Sequence, residues 1–239
     1  MKKNIELIKG LGIFLLYLLP AIGASLVSGF IKNENISDYL MTILVILELL
    51  MPIILIVIFR KTLMKDFKNF KENYKSYLKT GFKYWILGYL AMILFNIIIV
   101  FIINDGAIAT NEELNRELLN TNTIFALISI LVYAPITEEL AFRASFKKAF
   151  KSAICFAIFT GFLFASLHVA TAFMDLNSFK EILSNWKQIL YIFPYLSFGF
   201  AFGYAYFKTD NIFTTFIVHL THNFLTVLLM LLSFILPAV

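Results

Sequence analysis

The sequence predicts an all-α polytopic membrane protein of about seven helices, or eight if a short one lies in a loop, packed as a conical or bundled core. Three observations predict it. Hydrophobic residues make up 60% of the chain and charged residues 15%, against about 45–50% and about 25% in soluble domains. Too few charges remain to clothe a soluble core. The apolar residues also fall into continuous runs long enough to cross a bilayer, which takes about 20 residues. These runs do not alternate in segments of about ten, which excludes a transmembrane barrel and leaves helices to satisfy their own backbone in hydrocarbon.

The first run covers about Leu7–Ile31, behind Lys2, Lys3 and Lys9. Small residues at Ala21 and Ala24 suggest a signal peptide, but the apolar stretch continues past them and reads as an uncleaved anchor. Further runs cover about Tyr39–Phe59, Tyr84–Ile103, Thr123–Ala144, Ala153–Met174, Ile189–Phe207 and Ile212–Leu236. Between the second and third, Leu63, Phe67, Phe70, Tyr74 and Tyr77 recur at three- and four-residue spacing with lysines between them. That pattern predicts an amphipathic helix lying in the membrane interface. Gly199 and Gly203 form a GxxxG that predicts a close helix contact. The lone Cys155 has no partner for an internal disulfide and reads as a small core hydrophobe. Residues 1–121 hold the first three runs and the basic amphipathic helix, and residues 122–239 hold the last four runs, within a single membrane domain.

The net charge of +5 does not point to nucleic acid, because no basic, aromatic-interleaved soluble face exists to bind it. Lysine and arginine gather instead in alternate connections: the N-terminus, residues 60–83, residues 147–151 and Lys208. The connection holding Asp105, Glu112, Glu113, Arg116 and Glu117 is mostly acidic. By the positive-inside rule the N-terminus is cytoplasmic and the C-terminus outside. The expected setting is a cell membrane with the lipid bilayer as partner, and the Phe-, Leu-, Ile- and Lys-rich composition suggests a bacterial plasma membrane. The oligomeric state is left open.

Ionisable groups inside apolar runs cost several kcal/mol in bilayers, so each is a functional candidate. The fourth run holds Pro135 and then Glu138-Glu139-Leu-Ala-Phe-Arg143; the fifth holds Phe164-Ala-Ser-Leu-His168; the seventh holds His219-Leu-Thr-His222-Asn223. Glu139 and Arg143, four residues apart, share a helix face and suit an ion pair. Glu138 lies ~100° around the helix and lacks that local cation, which suits a general base. His219 and Asn223 share a face and offer an imidazole and an amide to a developing oxyanion. His222 is a neighbour of weaker placement.

Depth tests whether these groups meet. By helical rise, Glu138 is ~13 Å from Lys147 and His219 ~12 Å from Asn211, both in the inner half of the bilayer. His168, ~25 Å from Lys151, does not fit. It joins them if helix four extends past Lys147 and the fifth run enters the bilayer near Ile158.

Together these residues resemble the CAAX prenyl protease 2 and bacteriocin-processing (CPBP, or Abi) family of intramembrane proteases, whose pattern is EExxxR, FxxxH and HxxxN or HxxxD on successive helices. The resemblance covers about Ile124–Leu229. It implies an endopeptidase in which Glu138 and His168 activate water, His219 and Asn223 stabilise the oxyanion, Glu139 and Arg143 orient Glu138, and Phe164 packs beside the site. It implies a peptide or membrane-protein substrate: CAAX-type processing, maturation of a peptide pheromone or bacteriocin, or immunity. Glu138, His168 and His219 offer N/O ligands for zinc, and the same residues can act without metal. A proton-coupled transporter or a non-catalytic immunity or scaffold protein are the competing readings.

Overall fold

The computed structural model describes residues 2–103, 108–174 and 179–235. The sequence-predicted end of the last span at Leu236, and Asp105 of the acidic connection, lie outside them. Among the described residues there are helices and no strands. Helix α1 is Lys2–Phe30, α2 is Glu34–Ile103 and α3 is Thr110–Thr121. Helix α4 runs from Thr123 to Ala144 in four stretches: α-helical Thr123–Ile128, π-helical Ser129–Tyr133, α-helical Ala134–Glu138 and π-helical Glu139–Ala144. Then follow α5 (Ala153–Ala170), the short α6 (Phe179–Ser184), α7 (Ile192–Thr209) and α8 (Ile212–Ile235).

Six of these segments are long and apolar enough to cross a membrane. One of them, α2, carries both the second and the third run of the sequence, so the runs still number seven. A straight helix of 70 residues would measure ~105 Å, several bilayers deep. It is not straight, because Asn73 leaves helical geometry (φ −125°, ψ 15°). Asp66 and Gly81 both meet the start of α8. The Asp66 carbonyl accepts from Asn211 Nδ2 at 2.7 Å, its carboxylate accepts the Ile212 N–H at 3.0 Å, and Gly81 abuts Thr214. Fifteen residues of straight helix would hold them ~22 Å apart, so α2 folds back at Asn73 into a hairpin. The aromatic stretch predicted to lie in the interface is this bend, and Phe67 and Phe70 pack on Phe213 of α8 with ring centroids 5.5 and 6.0 Å apart. A solvated lysine face and a local partner for the rings account for the same amphipathic pattern.

The core forms where α1, α2, α4, α5 and α7 converge on Phe14, Met51, Leu55, Phe142, Phe146, Phe156 and Tyr206. Outward faces are apolar too: Ile46, Leu49 and Ile53 of α2 and Ile154 and Ile158 of α5 are exposed, as lipid contact requires and water would not favour. Cys155 lies on that exposed face of α5, not in the core. The expected glycine contact is present, between α5 and α7: a Cβ on Gly199 would meet Gly161 Cα at 2.7 Å, and one on Gly203 would meet Thr160 Oγ1 at 2.6 Å. Backbones touch there, and the contact fixes the wall of the site.

Candidate active site

Residues of α4, α5 and α8 line one cavity of about 490 Å³, among them Glu138, Phe164, His168, His219, His222 and Asn223. Phe202, 1% exposed, is part of its wall, and the fully buried Arg143 packs on Phe202 and Phe164. Asn96, Asn111, Asn115 and the half-exposed pair Glu112 and Arg116 also line it.

The two adjacent glutamates divide as the helical angle predicts. Glu139 turns into protein, with Arg143 Nη1 3.2 Å from its Oε1. Arg143 is also surrounded by the rings of Phe164, Phe142 and Phe202, at 4.8, 5.6 and 5.8 Å from its guanidinium carbon. A charge can stay buried only with such company. Glu138 turns into the cavity, where its Oε2 is buried without a hydrogen-bond partner among the described residues.

Glu139 does more than pair with Arg143. Its Oε1 lies 2.9 Å from Nδ1 of His219. A carboxylate beside an arginine is an acceptor, so Nδ1 carries the hydrogen and the neutral ring presents its Nε2 lone pair. That Nε2 faces Glu138, 3.8 Å from Oε2. Glu139 therefore orients His219 directly, a contact that the local i,i+4 spacing did not reveal because it joins α4 to α8.

His168 follows the same logic. Its Nδ1 is 2.9 Å from the Phe164 carbonyl, which can only accept, so its Nε2 is likewise free. Of the expected shift of helices, the extension is present: beyond Ala144 the span continues through a turn and the 3₁₀ segment Lys147–Ala149, past Lys147. Helix α5, however, begins at Ala153, not near Ile158. Side chains lean toward the N-terminus of their helix. His168 accordingly leans back onto Phe164, ring centroids 4.1 Å apart, and the Phe164 ring sits 6.2 Å from that of His219. Glu138, on a helix of opposite direction, leans the other way, and the two converge within electrostatic reach.

Asn223 has a structural partner that the sequence reading did not foresee. In the π-helical stretch the Ala134 N–H bonds to Ser129 O instead of Ile130 O, and Pro135 has no N–H to offer in the shifted register. The orphaned Ile130 carbonyl is taken by Asn223 Nδ2 at 2.7 Å. One hydrogen of that amide remains for the cavity. The second π-helical stretch repeats the device: Ser145 N–H bonds to Leu140 O, and the Ser145 hydroxyl takes the freed Ala141 carbonyl. π-Segments of this kind concentrate at functional sites, and these two bracket Glu138.

Glu138, His168 and His219 carry donor atoms suited to zinc. Among the described residues, however, no three His, Cys, Asp or Glu side chains come close enough to share an ion. Sequence reasoning also missed Tyr133 and Tyr195, which line the cavity and carry no charge to mark them. It missed Glu48 of α2 as well, although a carboxylate in the middle of an apolar run is the signal that found the others.

Residues 120–225 match the family model of type II CAAX prenyl endopeptidases, Rce1-like. That stretch contains all three motifs and supports a membrane protease of the CAAX kind. No curated protein and no solved structure matches the chain.

Proposed function

We propose that this chain, Rce1-like over residues 120–225, is an intramembrane endopeptidase that hydrolyses a peptide bond in a membrane-associated or leader-type peptide. One observation carries the reading. A single cavity holds an unpartnered carboxylate oxygen of Glu138 and two histidines whose Nδ1 atoms are already engaged, leaving both Nε2 atoms to the reacting groups.

The chemistry follows from those positions. Glu138 takes a proton from water as its oxygen bonds to the peptide carbonyl carbon, with His168 Nε2 accepting the other water hydrogen bond. The carbonyl oxygen becomes an oxyanion. The free hydrogen of Asn223 Nδ2 points a dipole at it, and His219 Nε2, which takes the water proton on from Glu138 while Glu139 holds the Nδ1 hydrogen, becomes the second donor. The C–N bond then breaks, and the same proton returns through Glu138 to the leaving amine, which leaves His219 neutral again. The positive-inside rule favours a cytoplasmic lysine-rich end, and the Phe-, Leu-, Ile- and Lys-rich composition favours a bacterial plasma membrane. CAAX-type processing, maturation of a pheromone or bacteriocin precursor, and immunity are the roles that fit such an activity.

The test is a comparison of membrane and secreted peptides from cells carrying the intact chain, Glu138→Gln, His168→Ala or His219→Ala. A shortened peptide present only with the intact chain is expected. If Glu138→Gln yields the same peptide, the reading fails and a transporter or scaffold role replaces it. Dialysis against a chelator is expected to leave cleavage intact; loss that zinc restores would replace the metal-free mechanism.

A further inference from the structure

Glu48 is a carboxylate in the middle of the apolar run 39–59, and it is exposed. Its neighbours Val45, Ile46 and Leu49 are exposed as well, at 51, 52 and 55%, so the surrounding surface is the one that meets lipid. No ion pair involves Glu48 among the described residues. A lone carboxylate at that depth costs several kcal/mol and is tolerated where it has work to do.

Its position on the helix is informative. The inward stripe of α2 runs through Leu44, packed on Gly23, and through Met51 and Leu55, both 0% exposed. Glu48 lies only ~40° from Leu44 and ~60° from Met51 around the axis. It belongs to the inward side and is nevertheless exposed, so the layer covering α2 has a crevice at this level. The edge of that crevice is Tyr133, whose hydroxyl donates to the Glu48 carbonyl at 2.9 Å. Tyr133 also lines the cavity. Glu48 and Glu138 both lie within electrostatic reach of its hydroxyl. Tyr133 thus stands between a carboxylate that faces lipid and one that faces the reacting groups.

We infer that Glu48 is a recognition site for a cationic side chain, Lys or Arg, on a membrane-embedded peptide segment that lies in this crevice beside the cavity. The inference rests on the endopeptidase reading for its purpose, though the binding it describes does not. Charge complementarity selects the occupant. A second copy of the chain offers no match, because among the described residues the one basic side chain deep in an apolar run is Arg143, which is 0% exposed and paired with Glu139.

The experiment uses the full chain in phosphatidylethanolamine–phosphatidylglycerol vesicles, with Glu138→Gln to prevent turnover and a donor fluorophore on the exposed Cys155. The probe is an acceptor-labelled apolar Leu/Ala peptide of roughly 20 residues, carrying one central Lys or, as control, Leu. The Lys peptide is expected to bind roughly tenfold more tightly than the control, within the range of intramembrane polar contacts. Glu48→Gln should abolish the difference, and Glu48→Lys should transfer the preference to a peptide with a central Glu. Equal binding of the Lys peptide with and without the Glu48→Gln substitution overturns the inference. Energy transfer between differently labelled copies that disappears in Glu48→Gln also overturns it, by making the occupant a second copy. Cleavage of the Lys peptide by the chain with Glu138 intact is read separately, so its absence counts against the endopeptidase reading alone.

Discussion

Two buried polar clusters at different ends of the bundle behave in opposite ways. At the lysine-rich end, Asp66 and Asn211 are buried and fully engaged: the Asp66 carbonyl and carboxylate each take a hydrogen from residues 211 and 212, and Asn211 Oδ1 accepts from the Phe213 N–H. In the cavity, Glu138 Oε2 and His222 Nδ1 are buried with no hydrogen-bond partner among the described residues. A satisfied cluster holds elements together, and an unsatisfied one waits for a ligand. Loss of a side chain should therefore show as instability in the first and as lost turnover in the second.

The sharpest separation is Glu138→Gln. The amide keeps the shape but cannot take a proton from water, so cleavage should fall about 10²–10⁴-fold. The thermal midpoint in detergent should stay within a degree or two, because among the described residues Glu138 Oε2 makes no hydrogen bond that supports the fold. A large drop in that midpoint would move Glu138 from the second cluster to the first.

Glu139 and Arg143 lie between the two kinds. They are paired with each other at 3.2 Å and buried, although among the described residues Glu139 Oε2 and the three Arg143 nitrogens make no hydrogen bond, and Glu139 holds His219. Arg143→Met leaves Glu139 as an unpaired buried charge, with an expected cost of about 3–5 kcal/mol. Glu139→Gln should lose both stability and turnover. Denaturation in detergent together with cleavage of the same preparations checks this, and a stable but inactive Arg143→Met would break the assignment.

Asn223 tests whether the amide is structural, chemical or both. Asn223→Asp keeps the shape but replaces the donor with an acceptor facing the Ile130 carbonyl, leaving that carbonyl unpaired at about 1–3 kcal/mol. Asn223→Ser, with a hydroxyl too short to reach both sides, should retain part of the stability and little turnover. Equal stability of the Asn and Asp forms would show that Ile130 finds another donor.

The sequence carried the chemistry of the site better than its construction. Glu138, His168, His219 and Asn223 stood out because polar groups are costly in apolar runs, and that cost does not depend on tertiary detail. The link from Glu139 to His219 could not be read, because local spacing pairs Glu139 with Arg143 and says nothing about a helix 80 residues away. The π-register around Pro135 was hidden for a similar reason: the proline removes a donor, but only Asn223, arriving from α8, makes the shifted register tolerable. The fold-back at Asn73 was obscured because a lysine-rich amphipathic stretch suits a surface helix and a bend equally well.

The smallest effect belongs to the lysine-rich end and depends on pH. Burial works to raise the Asp210 carboxyl, but Lys147 and Lys65, at 2.7 and 3.5 Å, overcome it and hold it below its ordinary value. A carboxyl lowered in the folded protein adds stability above its unfolded value, and the contribution is lost as pH falls through the folded value. Asp66 has the opposite sign: burial raises it, and the Ile212 N–H and Lys65 only partly offset this. Its contribution is present below the unfolded value and is lost as pH rises through the folded one. The two carboxyls therefore oppose each other. Asp210 is mostly exposed, so solvent screening holds its share to a few tenths of a kcal/mol, roughly that of a surface pair. Asp210→Asn should lower the midpoint slightly at pH 7 and by less at pH 3. Asp66→Asn keeps an oxygen for the Ile212 N–H and removes a buried charge, so its midpoint at pH 7 should be unchanged or higher. If Asp66→Asn instead destabilises most at pH 7, the carboxylate charge is needed at the start of α8, and this end of the bundle is held by electrostatics as well as by satisfied hydrogen bonds.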